Sequence, residues 1–230
     1  MSQLLLAVDT SGKKGSVALA RAESGIGASD REPAVLEVVP LAGGAFSAEL
    51  VPQIAALLKR HGHTVRDIAG LAVASGPGSF TGLRVGLAAV KALAEALSQP
   101  IVAISLLEAV AAGDASGGAV YAALDAGRGD VYIGAYEAGA IPPMRGERLL
   151  SRDEFIRLGN DVTVITPDKR LAETARLAGV RAVVVEPPDA GIIARLGWER
   201  LRRGQTIRPE DLEANYIRRS DAEIFSKPAP

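Results

Sequence analysis

Asp9 and Asp125 are the side chains of this sequence best placed to do chemistry: each ends a short apolar run and opens a glycine-containing turn. Asp9-Thr10-Ser11-Gly12-Lys13-Lys14-Gly15 is followed by the apolar run Ser16 to Ala20, and Asp125-Ala126-Gly127-Arg128-Gly129-Asp130 by Val131 to Tyr136. A carboxylate at a strand end can hold a hydrated magnesium ion while glycine-rich turn amides meet phosphate oxygens. Asp9, Thr10, Ser11, Gly12 and Asp125 are therefore candidate nucleotide-binding residues. The same carboxylates can instead close tight turns by bonding their own backbone, and the residues alone leave both readings open. Ser75-Gly76-Pro77-Gly78-Ser79-Phe80-Thr81-Gly82 is a further candidate. Its free amides could take an anion where the loop opens onto a helix, or the loop could simply turn a strand into that helix.

Other chemistries find no footing. A phosphate-cradling Walker loop needs Gly-x-x-x-x-Gly-Lys-Ser/Thr, and no window satisfies it. Gly76-Pro77-Gly78 reaches its next glycine at Gly82, one position late for a dinucleotide fingerprint, and Ser79 has Pro77 where a nucleophile elbow needs glycine. The two histidines, His61 and His63, flank Gly62 with only Asp67 near at ligand spacing, so a solvated turn is expected and no metal site. They also lie far from any activated serine, which leaves no hydrolase triad, and no catalytic residue is assigned. The arginines gathered late, Arg195, Arg200, Arg202, Arg203, Arg208, Arg218 and Arg219, are interleaved with Glu199, Glu210, Asp211, Glu213 and Asp221. That mixture reads as a solvated face in preference to an RNA patch.

The elements that would position these residues form a pattern repeated once. Leu4 to Val8, a turn and Ser16 to Ala20 read as a hairpin, and Ala119 to Leu124 with Val131 to Tyr136 read as its copy. One repeat separated by half the chain suggests two related lobes, with a boundary between Pro100 and Gly118. In the first, Ala22 to Pro33 reads as a loop and Ala34 to Pro40 as a strand. A helix follows with Ser47 as its N-cap, a Phe46–Val51 staple, and Leu50, Ile54, Leu57 and Leu58 on one face. Leu71 to Ala74 is a strand, and a second helix carries Leu83, Leu87, Val90, Ala94 and Leu97 as an apolar stripe ending before Pro100. Gly82, Gly86 and Ala89 add a smooth ridge, although a helical glycine costs about 1 kcal/mol against alanine. The second lobe offers strands at Val162 to Thr166 and Ala182 to Val185, a helix from Lys169 to Ala178, and a last helix from Asp189 to Gly204. Meanders followed by helices predict an α/β protein in which each lobe has a mixed sheet and flanking helices.

At 230 residues, 48% apolar and 23% charged, the chain can bury a substantial core. Its 27 acids against 26 bases give no positive field for gathering phosphate backbones, so any contact with RNA is expected to be indirect. The absence of cysteine removes disulfides and thiolate chemistry and fits a reducing compartment. The opening Met1 to Asp9 has no basic leader and is interrupted by an acid well short of the ~20 residues of a membrane span. A cytoplasmic protein with no membrane contact is expected.

Taken together, Leu5-Leu6-Ala7-Val8-Asp9-Thr10-Ser11, the helix Ser47 to Leu58, and the run Ser75 to Gly86 (Ser-Gly-Pro-Gly-Ser-Phe-Thr-Gly-Leu-Arg-Val-Gly) closely resemble the TsaB, or YeaZ, family of tRNA threonylcarbamoyladenosine biosynthesis proteins. Asp125-Ala126 with Val131-Tyr132, and Asn215 to Glu223, resemble the family's second hairpin and C-terminal end, with Gly127 standing where members usually carry arginine. The resemblance implies a duplicated actin-like ATPase (ASKHA) fold, with lobes over 1–105 and 106–214 and a tail over 215–230. It implies a non-catalytic subunit that binds and activates the catalytic paralogue TsaD together with the ATPase TsaE, and that meets tRNA only through them. The His-x-x-x-His metal motif of the paralogue would fall on Ser105 to Ala109, and its glycine-rich nucleotide segment near Ile165 to Asp168, and neither survives here. No cofactor is therefore expected. The two helices of the first lobe are implied as the partner face, through Leu50, Ile54, Leu57, Gly82, Arg84, Gly86, Ala89 and Val90, though the glycine ridge could equally pack on its own sheet. The same face could pair two copies into a homodimer. A small-molecule kinase or ATPase of this fold, using Asp9 and Asp125, and a glycoprotease-like peptidase are the alternatives.

Overall fold

A computed structural model describes residues 2–23, 32–113, 118–138, 144–159 and 161–218. The apolar run after Met1 becomes strand β1 (Ser2–Asp9), which turns at Gly12 into β2 (Gly15–Glu23) and then β3 (Ala34–Leu41). Helix α1 (Phe46–Arg60), β4 (Ile68–Gly76), α2 (Phe80–Leu97), β5 (Ile101–Ser105) and α3 (Leu106–Ala111) follow. The order then repeats: β6 (Gly118–Gly127), β7 (Asp130–Ala138), β8 (Met144–Ser151), α4 (Arg152–Phe155), β9 (Thr163–Thr166), α5 (Lys169–Leu177), β10 (Arg181–Val184) and α6 (Ala190–Arg202). Most of the loop expected over Ala22 to Pro33, and the motif residues beyond Arg218, lie outside the described residues.

Both halves build the same sheet. The first has the order β3-β2-β1-β4-β5 and the second β8-β7-β6-β9-β10, each with an antiparallel meander and two parallel strands. In each half one helix follows the third strand, one the fourth and one the fifth. Parallel central strands need helices on both faces, which is why β1 is apolar at every position from Leu4 to Val8. Leu4, Leu6 and Val8 pack under α1 and α2, while Leu5 and Ala7 pack against Ile193 and Ala194 of α6.

The last helix of each half crosses over. Helix α6 lies on β1, β2, β4 and β5 of the first sheet, and α3 lies on β6 and β7 of the second. Leu107, Val110 and Ala111 of α3 fill a core with Val120, Tyr132 and Tyr136 of the other lobe. Each lobe thus borrows a helix from the opposite half of the chain, so the two cannot separate without exposing apolar surface.

Helix α1 starts two residues earlier than its sequence suggests. Ala45 occupies the cap position with no side-chain cap bond, and its carbonyl accepts from the amides of Ala48 and Glu49. Ser47 lies inside the first turn. The Phe46–Val51 staple is absent: Phe46 is buried in the core whereas Val51 is 63% exposed. Core packing of the Phe46 ring, which lies against Gly15, outweighs the local staple. Helix α2 is capped as a Ser-headed helix should be, with the Ser79 hydroxyl accepting from Gly82 N. The short helices α3 and α4 begin at Ser105-x-x-Glu108 and Ser151-x-x-Glu154, helix-start signals that periodicity alone passes over, and strand β8 lacks an apolar run.

Candidate functional site

The C-terminal ends of the central strands of both lobes face one another across a cavity of about 440 Å3, lined by Ser11, Gly12, Gly78, Asp125, Tyr132 and Asp168 among others. Both hairpins close in the same way. The Asp9 Oδ1 accepts from Ser11 N at 2.9 Å and from Ser11 Oγ at 2.6 Å, and the Asp125 Oδ1 accepts from Gly127 N at 2.9 Å. The duplication is therefore repeated down to the aspartate that bonds the amide two residues on, and of the two sequence readings the turn-closing one describes the described geometry.

The candidate nucleotide residues divide accordingly. Ser11, Gly12 and Asp125 line the cleft. Asp9 and Thr10 do not: Asp9 is 5% exposed and Thr10 is buried with its hydroxyl donating to Gly82 O at 2.7 Å. Burial pushes the Asp9 carboxyl above the usual carboxylate range, against the pull of the Ser11 hydroxyl and amide and with a smaller push from Asp189. The loop Ser75 to Gly82 is pressed onto the first hairpin, with Ser79 N donating to Ser11 O at 2.7 Å. A Cβ on Gly78 would come within 2.3 Å of that same carbonyl.

Opposite this loop, the N-terminus of α5 is already filled. Asp168 caps it, its Oδ1 accepting from Arg170 N at 2.8 Å and Leu171 N at 3.2 Å. The amides that could have received a phosphate hold a carboxylate of the chain itself, and Asp125 adds a second negative group to the same cavity. A metal–nucleotide complex does not fit this arrangement. Its phosphates would meet two carboxylates, Asp125 and Asp168, against one cation, Lys13, and the acid at the end of β1 is turned inward. Among the described residues no three His, Cys, Asp or Glu side chains converge as a metal site. His61 instead bonds Glu37 at 2.9 Å, and His63 lies 3.3 Å from Arg21.

The expected partner residues are placed differently from their sequence assignment. Leu50, Ile54, Leu57, Gly82, Gly86 and Val90 are buried in the first lobe's own core. A Cβ on Gly82 would lie 2.1 Å from Thr10 O, and one on Gly86 would lie 2.3 Å from Thr10 Oγ1, so the smooth ridge seats the β1 end of the first hairpin. Arg84 is exposed and Ala89 partly so. The outward side of the two helices is carried instead by Val51, Ala55, Ala88 and Ala92.

Sequence reasoning missed the way residues after α6 bind the two lobes together. Leu212 enters the core of the first lobe, and Tyr216 stacks on Phe80 of α2 at 4.8 Å while Arg84 donates to its hydroxyl at 3.3 Å. Ile217 packs on the second lobe's core, and Arg218 donates to Ala126 O at 3.0 Å and pairs with Asp130. Contacts across so many residues leave no local pattern to read. Among the late arginines, Arg200 pairs with Glu108, Arg202 with Glu199, and Arg208 with Glu210 and Asp211. Arg219 is outside the described residues. Most of the late positive charge is therefore neutralised locally.

The family described as TsaD: tRNA N6-adenosine threonylcarbamoyltransferase matches residues 38–181. The tRNA threonylcarbamoyladenosine biosynthesis protein TsaB of Bacillus subtilis (strain 168) is 34% identical over 134 residues, 58% of this chain and 55% of that protein. The protein of the same name from Escherichia coli (strain K12) is 29% identical over 186 residues, 75% of this chain and 80% of the relative. A solved structure described as YeaZ from Pseudomonas aeruginosa superposes with a TM-score of 0.71 at 26% identity, covering 92% of this chain and 100% of that one. A second Pseudomonas aeruginosa structure, an uncharacterized protein with similarity to peptidase YEAZ, gives 0.74 at 26% identity over 94% of this chain and 100% of that one.

The duplicated topology and these neighbours define a two-lobed protein of the actin-like ATPase (ASKHA) class. No helix among the described residues is long and apolar enough to cross a membrane. The chain belongs to the TsaB/YeaZ family of tRNA threonylcarbamoyladenosine biosynthesis proteins, within the wider TsaD threonylcarbamoyltransferase family.

Proposed function

We propose that this chain is a non-catalytic, cytoplasmic subunit of the tRNA threonylcarbamoyladenosine synthesis complex, which binds and activates a TsaD-type paralogue. The carrying observation is the self-filled cleft: Asp168 holds the α5 amides and Asp125 faces it, where an ATPase of this fold would receive phosphates. A cleft so arranged supports a role exerted through surface. The surface that fits is the outer side of α1 and α2, where a 63% exposed Val51 lies among small residues that let another helix backbone approach closely. In this reading a TsaE-type ATPase joins the pair, tRNA is met through the complex, and two copies of the chain pair by the same face when no partner is present.

The test is a reconstituted modification assay with the TsaD-type paralogue, the TsaE-type ATPase, tRNA, ATP and threonylcarbamoyl-adenylate, with and without this chain. Modified adenosine is expected only when the chain is present, and Val51→Glu or Ala88→Glu is expected to abolish co-purification while leaving the chain folded. Equal modification without the chain, or ATP turnover by the purified chain alone, overturns the proposal.

A further inference from the structure

Behind the cleft, where the two exchanged helices approach each other, a second cavity of about 390 Å3 is walled by Ser75, Ser105, Glu108, Glu147, Arg200 and Asn215. Elements of both halves contribute: β4, β5, α3, β8, α6 and the segment after α6. Both oxygens of Glu147 have donors. Its Oε1 accepts from Ser105 Oγ and Tyr136 OH, and its Oε2 from Asn215 Nδ2 at 2.5 Å. Glu108 differs. It is 2% exposed, and its Oε2 accepts from Arg200 Nη2 at 2.6 Å, whereas its Oε1 has no donor in good hydrogen-bond geometry among the described residues, the Ser105 amide lying only near enough to favour the ionised carboxyl.

Ser75 is committed elsewhere and Arg200 only in part. Ser75 Oγ donates to Ile104 O at 3.2 Å, and Arg200 Nη1 donates to Ala103 O at 2.7 Å. A buried carboxylate oxygen without a donor is costly, and an arriving donor relieves that cost. The guanidinium beside it uses two of its five N–H groups in these bonds and is 30% exposed, so it retains donors for an anion. An unmatched acceptor and an under-used cation, side by side in one cavity, complement a molecule that carries an ammonium and a carboxylate a few bonds apart. Except for Ala103, the wall groups are polar, which suits a short or hydroxylated side chain.

We propose that this cavity binds a small polar α-amino acid as its zwitterion, the ammonium donating to the Glu108 carboxylate and the carboxylate accepting from Arg200. The site is distinct from the cleft between the hairpins and does not depend on the activity proposed above. Charged or titratable groups facing Glu108 are Arg200 on α6, and Glu147 on β8 with Tyr136 on β7 behind it. Burial raises the Glu108 carboxyl to about 6, while Arg200 and the Ser105 amide pull it down. The ammonium needs that carboxylate ionised, so affinity falls as pH drops through about 6.

The test uses the full chain at neutral pH, with calorimetry and ligand-observed NMR. L-serine and L-threonine are compared with ethanolamine, which lacks the carboxylate, and propionate, which lacks the ammonium. Saturable binding of the amino acids is expected, with each single-charge probe at least about tenfold weaker. Glu108→Gln and Arg200→Gln are expected to remove binding. Because either can disturb folding, Ala103→Leu, which fills the cavity and deletes no polar group, is tested beside them, with far-ultraviolet circular dichroism confirming the fold. No saturable amino-acid binding, ethanolamine binding as tightly as serine, or binding untouched by a folded Ala103→Leu chain overturns the proposal.

Discussion

Gly86 faces Thr10 so closely that a Cβ on it would stand 2.3 Å from Thr10 Oγ1, the hydroxyl that donates to Gly82 O at 2.7 Å. The two helical glycines of α2 are thereby explained from within the lobe. Gly86→Ala gains about 1 kcal/mol of helix propensity but must displace that hydroxyl, and overpacking costs about 1–3 kcal/mol. A net loss of about 1 kcal/mol is expected by urea denaturation. In a Thr10→Ala chain the obstruction is gone, and the same Gly86→Ala change should become neutral or stabilising. A bulkier Gly86→Leu is expected to unfold the lobe and not merely to break a partner contact. Equal effects of Gly86→Ala in both backgrounds would show that the pair does not interact.

That pair also marks the limit of what the sequence reveals. The stripe Leu83, Leu87, Val90, Ala94 and Leu97 is legible because helix periodicity is local: the first four are buried, and Leu97 at the helix end is partly buried against the same core. The duplicated hairpins are legible because strand and turn residues recur in order. Which neighbour a smooth helix face meets is not local: Gly82 and Gly86 could have met another protein or their own strand, and only the fold brings Thr10 to them. Strand β8 is obscure for a related reason. Its Met-Arg-Gly-Glu-Arg-Leu-Leu-Ser is polar for much of its length because it is a sheet edge, without the apolar run of a doubly buried strand. The crossing of α3 and α6 is likewise set by tertiary packing, which neither helix's own residues announce.

Asp168 separates a structural from an electrostatic role in the cleft. Removing its cap with Asp168→Ala should cost about 1 kcal/mol and loosen α5. Asp168→Ser keeps a capping oxygen and removes the charge, so stability should stay within about 0.5 kcal/mol of the parent. If charge repulsion is part of what bars phosphates from the cavity, the serine variant binds inorganic triphosphate more tightly than the parent in calorimetry. An unchanged affinity would assign the exclusion to shape alone.

Arg218 ties residues after α6 to the second hairpin, donating to Ala126 O and Gly127 O and pairing with Asp130. Its side chain is 17% exposed, so these charge-assisted bonds are shielded from solvent and the loss in Arg218→Ala is put at about 2 kcal/mol. Hydrogen exchange should quicken at residues 126–130 first, because those amides lie in the turn that loses its clamp. Tyr216→Ala removes the stack on Phe80 and should cost about 1 kcal/mol, whereas Tyr216→Phe retains it and loses only the Arg84 contact. Equal losses in the two Tyr216 variants would argue against stacking as the anchor.

Glu108 should give the molecule a specific pH dependence. Its folded-state pKa of about 6 stands above the 4.5 of an unperturbed glutamate, chiefly because burial disfavours the charge. Folding therefore takes up a proton between those two values. The ionised carboxyl burdens the fold above about 6; that burden shrinks as pH falls through 6 and is absent below 4.5. A shift of this size corresponds to about 2 kcal/mol. Glu108→Gln cannot titrate, so the stability of the parent chain relative to this variant should rise by up to that amount between about pH 7 and about pH 5. Urea denaturation of both chains at the two pH values measures the difference, with the single tryptophan, Trp198, as the fluorescence probe. A gap that stays constant, or moves in favour of the glutamine chain on acidification, would mean that Arg200 holds Glu108 ionised in the fold as readily as water does in the unfolded chain.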